Sequence, residues 1–133
     1  MIIFRGALKS KQLKVKADIK YRCYQFVLAF ATFINKLSVE KRWKFLINQG
    51  LRAATSVGAN IVEAQSSTSR KEFKRYYEIA LKSCNETKYW ICLMRDAMEI
   101  KDEVLIQLLN EATEISKILG KSVVSLKQAK QMN

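Results

Sequence analysis

The chain has 133 residues, of which 49% are hydrophobic and 27% charged, and this balance predicts one compact domain and excludes a disordered chain. Proline is absent and there are only four glycines, which argues against folds that need frequent tight turns, such as a β-sandwich. The formal net charge of +12 indicates a polyanionic partner: nucleic acid first, then an anionic membrane surface or an acidic protein.

The chain opens with residues 1–12, which we expect to form a flexible arm. A first helix is predicted over about residues 13–37, because apolar residues recur there at steps of four and three, as they do on one face of a helix. These residues are Ile19, Cys23, Phe26, Phe30, Phe33 and Leu37. Ser38 is predicted to cap the next helix, with Glu40 in its first turn.

A second helix is predicted over about residues 39–65, with an apolar stripe that runs from Trp43 through Ile47 and Val57 to Ala64. The later part of this helix is made of small side chains, which let a neighbouring helix approach closely. The small residues are Ala53, Ala54, Ser56, Gly58 and Ala59.

The third helix is predicted over about residues 70–98, and its start is the clearest boundary in the sequence. Ser69 and Glu72 match a capping box, in which each side chain satisfies a free backbone N–H group at the start of a helix. A fourth helix is predicted over about residues 102–128, where Leu105, Leu108 and Leu119 share one face.

Four periodic segments joined by short polar connections predict antiparallel neighbours. The predicted fold is therefore all-α: an up-down-up-down antiparallel four-helix bundle that forms a single domain over residues 1–133.

Several chemistries are excluded by residues that the chain lacks. Without histidine, the usual catalytic triads and His-rich zinc sites cannot be built, so we expect no enzyme activity, no metal and no cofactor. Cys23, Cys84 and Cys92 lie in apolar surroundings, which favours reduced, buried thiols and a cytoplasmic location. The longest apolar run, from Phe26 to Ile34, is about half of a membrane span, so neither export nor membrane insertion is expected.

Binding is the class of function that remains, and the positions of the basic residues in the sequence indicate it. Residues 1–52 contain 12 Lys and Arg against two acidic residues. Such side chains contact phosphates through charge, which predicts salt-dependent binding with little sequence preference; the alternative is a solvated basic surface with no dedicated ligand. The candidate nucleic-acid-binding residues are Lys9, Lys11, Lys14, Lys16, Lys20, Arg22, Lys41, Arg42, Lys44, Arg52, Arg70, Lys71, Lys74 and Arg75.

Tyr76 and Trp90 fall on a second stripe with Ser83, beside the apolar seam of the third helix. Aromatic residues are enriched where subunits meet, so these two are candidates for a contact between copies of the chain.

The middle third of the chain resembles a known family. It is similar to the four-helix bundle proteins encoded in intervening sequences of bacterial 23S rRNA genes, also called S23 ribosomal proteins, and to the related Avd accessory proteins of diversity-generating retroelements. The residues that carry the resemblance are Gln49, Arg52-Ala53-Ala54, Ser56-Val57, Ala59-Asn60-Ile61, Glu63, Ser69, Lys71-Glu72-Phe73, Ile79-Ala80-Leu81, Ser83 and Glu86. The chain departs from the family at Gly58, where proline is usual, and at Ala64, where glycine is usual.

The resemblance implies a four-helix bundle that assembles into a ring-like homo-oligomer, typically a pentamer, with a basic surface. It also implies nucleic acid as a partner, and a reverse transcriptase or another acidic protein as a further one. Asn60 and Glu63 are expected to hold helix termini or subunit contacts. The leading hypothesis is a non-enzymatic, homo-oligomeric accessory protein that binds RNA or DNA; the alternative is a protein–protein interaction scaffold without a nucleic-acid ligand.

Overall fold

The computed structural model describes residues 18–132, with side chains described up to residue 129. Four α-helices follow one another along the chain: α1 (Ile19–Asn35), α2 (Lys44–Ser66), α3 (Arg70–Ala97) and α4 (Glu103–Met132). The predicted arm at residues 1–12 and the predicted first turns of α1 lie outside the described residues.

The first helix begins at a side-chain cap. The Asp18 carboxylate accepts a hydrogen bond from the Tyr21 backbone N–H at 3.2 Å, which satisfies one of the free donors at the helix start. The predicted stripe is buried where it was expected, at Cys23, Phe26, Phe30 and Phe33. Burial of these side chains fixes α1 against the rest of the bundle.

The connection from α1 to α2 differs from the prediction, because Ser38 does not cap a helix. Leu37 and Val39 are half-buried against the core, whereas Ser38 and Glu40 are exposed, an alternation that belongs to extended chain. A 3-10 turn (Lys41–Trp43) then leads into α2. Packing of Leu37 and Val39 across the end of the bundle therefore outweighs the local capping signal.

Small residues on α2 bring its backbone close to a neighbouring helix, α1, as predicted. A Cβ atom added at Gly58 would stand 3.3 Å from the Cys23 Cβ on α1. At Gly50 the same atom would stand 3.2 Å from the Phe30 ring. Ala53 and Ala54 are fully buried, so little side-chain bulk separates α2 from its neighbours.

The start of α3 is capped by Ser69, whose hydroxyl accepts a hydrogen bond from the Glu72 backbone N–H at 3.1 Å. The Glu72 carboxylate contacts the Thr68 hydroxyl at 3.5 Å. At the other end of α3 the Ile100 N–H bonds to the Arg95 carbonyl at 3.0 Å, and Glu99 takes a left-handed conformation with φ 54°. This closure reverses the chain into α4.

Each helix packs against its two neighbours around a square: α1 on α2, α2 on α3, α3 on α4 and α4 on α1. Successive helices run antiparallel, and one continuous core fills the centre with large side chains from all four. The predicted all-α, up-down-up-down four-helix bundle is confirmed.

Candidate nucleic-acid interface

The antiparallel arrangement divides the bundle into two ends with different charge. We call the end where α1 and α3 begin and α2 and α4 finish the basic end; it comprises residues 18–25, 60–77 and 121–132. The opposite end comprises residues 29–50 and 91–109, where α1 and α3 finish and α2 and α4 begin. Since α2 has 23 residues, the two ends are about 35 Å apart.

Most of the unbalanced charge lies at the basic end. Apart from Arg22, which is described below, seven Lys and Arg with described side chains stand there against three acidic residues, Asp18, Glu63 and Glu72. At the opposite end six Lys and Arg stand against five acidic residues. The candidate binding residues of the sequence analysis therefore do not form one continuous patch.

The first turns of α3 supply four of the cations at the basic end. Arg70, Lys71 and Arg75 are exposed, and Lys74 is half-buried. Phe73, which lies between Lys71 and Lys74, points inward, because it stacks on Tyr77 with ring centroids 4.7 Å apart and both pack on the core. Lys20 is exposed in the first turn of α1. Lys9, Lys11, Lys14 and Lys16 lie outside the described residues.

At the opposite end, the candidates Lys41, Arg42 and Lys44 are all exposed. Arg42 has two local partners: its Nε lies 3.0 Å from the Glu40 carboxylate, and its guanidinium stands 5.0 Å from the centre of the Trp43 ring. Both contacts lower the positive potential that Arg42 offers to a ligand.

Arg22 is bound inside the bundle. Its Nε and one terminal nitrogen donate to the two Glu111 carboxylate oxygens at 2.6 and 2.8 Å, and the side chains are 13% and 7% exposed. The hydrogen bond to Glu111 is the main reason that the pKa of Arg22 is raised. This contact ties α1 to α4, so Arg22 has a structural partner that the sequence analysis did not foresee.

Arg52 lies on a third surface, which we call the α2/α3 outer face. Arg52 pairs with Glu86 across the two helices and also bonds to the Gln49 side chain at 3.1 Å. The same Glu86 carboxylate accepts a hydrogen bond from the Trp90 indole at 2.8 Å. Arg52 is therefore part of a polar network that joins two helices.

The residues predicted to contact another copy lie at separate points along the α2/α3 outer face. Tyr76 and Trp90 are half-buried along α3. On α2, Asn60 donates to the Ser56 carbonyl at 2.8 Å, and Glu63 is exposed one turn further on. The Ser56 hydroxyl also meets the Ser83 hydroxyl of α3 at 2.9 Å.

Two exposed aromatic residues beside Trp90 were not among the predicted contacts between copies. Phe45 is 62% exposed and meets Trp90 edge to face, with centroids 6.1 Å apart; Tyr89 is 60% exposed and lies 5.2 Å from Trp90. Phe45 follows the charged Lys44 and falls off the apolar stripe of its helix, and that position is the signal that marks it as a surface aromatic.

Two of the three thiols, Cys23 and Cys84, are buried as predicted, whereas Cys92 is only half-buried. Burial raises the pKa of Cys23 to about 12 and that of Cys84 to about 11, so both stay protonated at neutral pH. Cys84 also lies 3.2 Å from the Ala112 carbonyl, to which its thiol donates. In the described part of the chain, no three Cys, Asp or Glu side chains gather as a metal site would require.

The family comes from comparison with known proteins. The model of the 23S rRNA-intervening sequence protein family matches residues 16–121. The chain belongs to this family. Among solved structures, it is similar to a protein from Bacteroides thetaiotaomicron VPI-5482, described as a member of the S23 ribosomal protein family with unknown function. The two share 32% identity and a TM-score of 0.69, over 79% of this chain and 97% of the other. No curated protein matches.

Membership of the 23S rRNA-intervening sequence family covers most of the bundle. The matched range takes in α1, α2 and α3 and most of α4, so the resemblance first seen in the middle third extends to the flanking helices. The relation to Avd proteins stays a prediction. None of the helices described here has an apolar stretch of the kind that crosses a bilayer.

Proposed function

We propose that this protein is a non-enzymatic, homo-oligomeric accessory protein that binds RNA or DNA through its basic surface. The observation that carries the proposal is the number of basic side chains without an acidic partner. Of the 18 Lys and Arg whose side chains are described, 13 form no ion pair with a described carboxylate. A surface of this kind attracts polyanions by releasing their counterions.

Binding is tested by fluorescence anisotropy with a structured RNA and a DNA duplex, from about 50 to 300 mM salt. We expect the logarithm of the association constant to fall linearly with the logarithm of the salt concentration, with a slope that counts the phosphates contacted. Weak binding that does not respond to salt would contradict the proposal.

The alternative is a protein–protein interaction scaffold whose charge serves solubility or an acidic protein partner. Capture of partners before and after nuclease treatment separates the two functions. If partners are lost after treatment, nucleic acid is the ligand. If they persist and the purified protein binds neither RNA nor DNA, the scaffold is correct.

Self-association is proposed to use the α2/α3 outer face. In support, Phe45 and Tyr89 expose about three fifths of their surface there, and a large aromatic side chain left in water is typical of a surface that another protein covers. Beside them, the network of Arg52, Glu86 and Trp90 supplies polar groups that a partner can meet.

This face is tested with Phe45→Glu, which puts a charge at the centre of the proposed contact. We expect the wild-type protein to sediment as an oligomer at micromolar concentration and the variant to sediment as a smaller species. Tyr24→Glu is the matched control, because Tyr24 is 61% exposed but lies on α1, away from this face. A wild-type monomer, or equal loss in both variants, would count against the assignment.

A further inference from the structure

The unequal charge of the two ends suggests where and how a polyanion binds. At the basic end, apart from Arg22, seven Lys and Arg with described side chains stand against Asp18, Glu63 and Glu72. The unbalanced charge at the other end is far smaller, because Glu40, Asp96, Glu99, Asp102 and Glu103 stand among its cations.

We infer that the basic end is the nucleic-acid contact and that it binds the phosphate backbone of a duplex; this inference rests on the proposed function. The largest group of described cations at the basic end lies at the start of α3. Arg70 and Lys71 are followed one turn later by Lys74 and Arg75, so two pairs of cations recur on the same side of the helix. None of the four has an acidic partner among the described residues.

The aromatic residues favour a duplex over a single strand. Proteins that hold single strands stack bases on exposed aromatic rings next to basic residues. At the start of α3, however, Phe73 and Tyr77 stack on each other and turn into the core. The exposed Phe45 and Tyr89 belong to the α2/α3 outer face. Tyr24 is exposed at the basic end, one turn after Lys20, but it lies on α1, diagonally across the bundle from the four cations of α3.

Cations that face outward without rings between them can neutralise phosphates but cannot stack unpaired bases. The expected ligand is therefore double-stranded, whether RNA or DNA, and it is recognised by its backbone.

The test compares three variants that lose three or four positive charges and a fourth with a smaller change. The first replaces Arg70, Lys71, Lys74 and Arg75 with Gln. The second replaces Lys41, Arg42 and Lys44 with Gln at the opposite end. The third, a matched control, removes four charges outside both groups: Lys36, Lys82, Lys101 and Lys117 become Gln. A single reversal, Arg75→Glu, serves as a milder probe should the first variant lose its helix content in circular dichroism.

Affinity is measured for a duplex RNA, a duplex DNA and a single-stranded RNA of the same length. We expect the first variant to lose at least about tenfold in duplex affinity and about two to four units of salt slope. The second and third should stay within about threefold of wild type, and duplex should bind more tightly than single strand.

The outcomes separate the inference from the function beneath it. If the wild-type protein binds no nucleic acid, the proposed function fails. If it binds, but the second variant loses as much as the first, or the single strand binds more tightly, the function stands and this inference is overturned. The comparison of RNA and DNA duplexes shows which of the two the protein binds more tightly.

Discussion

At the scale of single residues, the ion pair of Arg22 and Glu111 is the main polar contact between α1 and α4. Both charges are largely removed from water and each satisfies the other through two hydrogen bonds. Such a pair adds little net stability compared with well-packed apolar residues, but removal of one partner leaves the other charged group buried and unpaired.

Arg22→Met should therefore be strongly destabilising. We expect a loss of about 3 kcal/mol in the free energy of unfolding, the lower part of the range for a buried pair, because the guanidinium keeps 13% exposure. The double variant Arg22→Met, Glu111→Leu should recover most of that loss. Urea denaturation followed by circular dichroism measures the free energy of unfolding of both variants. A double variant no more stable than the single one would show that the ion pair itself stabilises the fold.

Single residues also show which contacts could be predicted from the sequence and which could not. Helical spacing placed Phe26, Phe30, Ile61 and Leu108 in the core, since burial of an apolar stripe depends only on local periodicity. The partner of Arg22 lies 89 residues away and becomes visible only once α1 and α4 are neighbours. Arg22 was predicted to be part of a phosphate-binding run, but it binds Glu111 within the bundle instead.

At the scale of helices, glycine positions show how closely the elements pack. Gly50 faces the Phe30 ring and Met94, whereas Gly120 on α4 has open space where a Cβ would stand. A glycine inside a helix costs conformational entropy relative to alanine, so its replacement stabilises wherever a methyl group fits.

Gly120→Ala should raise the free energy of unfolding by about 0.5–1 kcal/mol. Gly50→Ala gains the same helix propensity but crowds Phe30 at 3.2 Å, so it should be less stable than Gly120→Ala by at least about 1 kcal/mol. Thermal melts of the two variants beside wild type give the order. Equal stabilisation would mean that α1 and α3 yield easily around Gly50.

The elements also mark where the local sequence signals hold. Ser69 caps α3 as its sequence predicts, because the cap and the N–H group it satisfies are three residues apart. Ser38 fails as a cap because Leu37 and Val39 are drawn onto the end of the bundle. A local signal is decisive at a boundary unless nearby apolar side chains have a better place to pack.

At the scale of the whole molecule, the basic surface appears only after the helices are assembled. The basic clusters at 41–44 and 70–75 are each visible as a short run in the sequence, but the antiparallel fold places the two runs at opposite ends of the bundle. The division of charge between the ends depends on which helix termini meet, and no local pattern contains that information.

Concentration of positive charge at one end should lower stability when salt is scarce. Arg70, Lys71, Lys74 and Arg75 repel one another and also oppose the dipole at the start of α3. Their combined replacement with Gln should raise the free energy of unfolding by about 1 kcal/mol at about 20 mM salt, and the gain should shrink at about 500 mM as charges are screened. Chemical denaturation at both salt concentrations tests this. A variant that is less stable at low salt would show that these side chains make structural contacts.

The placement of charge at one terminus of the bundle bears on how copies of the chain act together. In a closed ring whose symmetry axis runs along the bundles, every copy would point the same way, so all the basic ends would lie on one rim. A rod of duplex laid on that rim would touch several identical patches at once, and contacts that are weak singly would add through high effective concentration. Stacking of two such rings rim to rim would instead place like charges against each other.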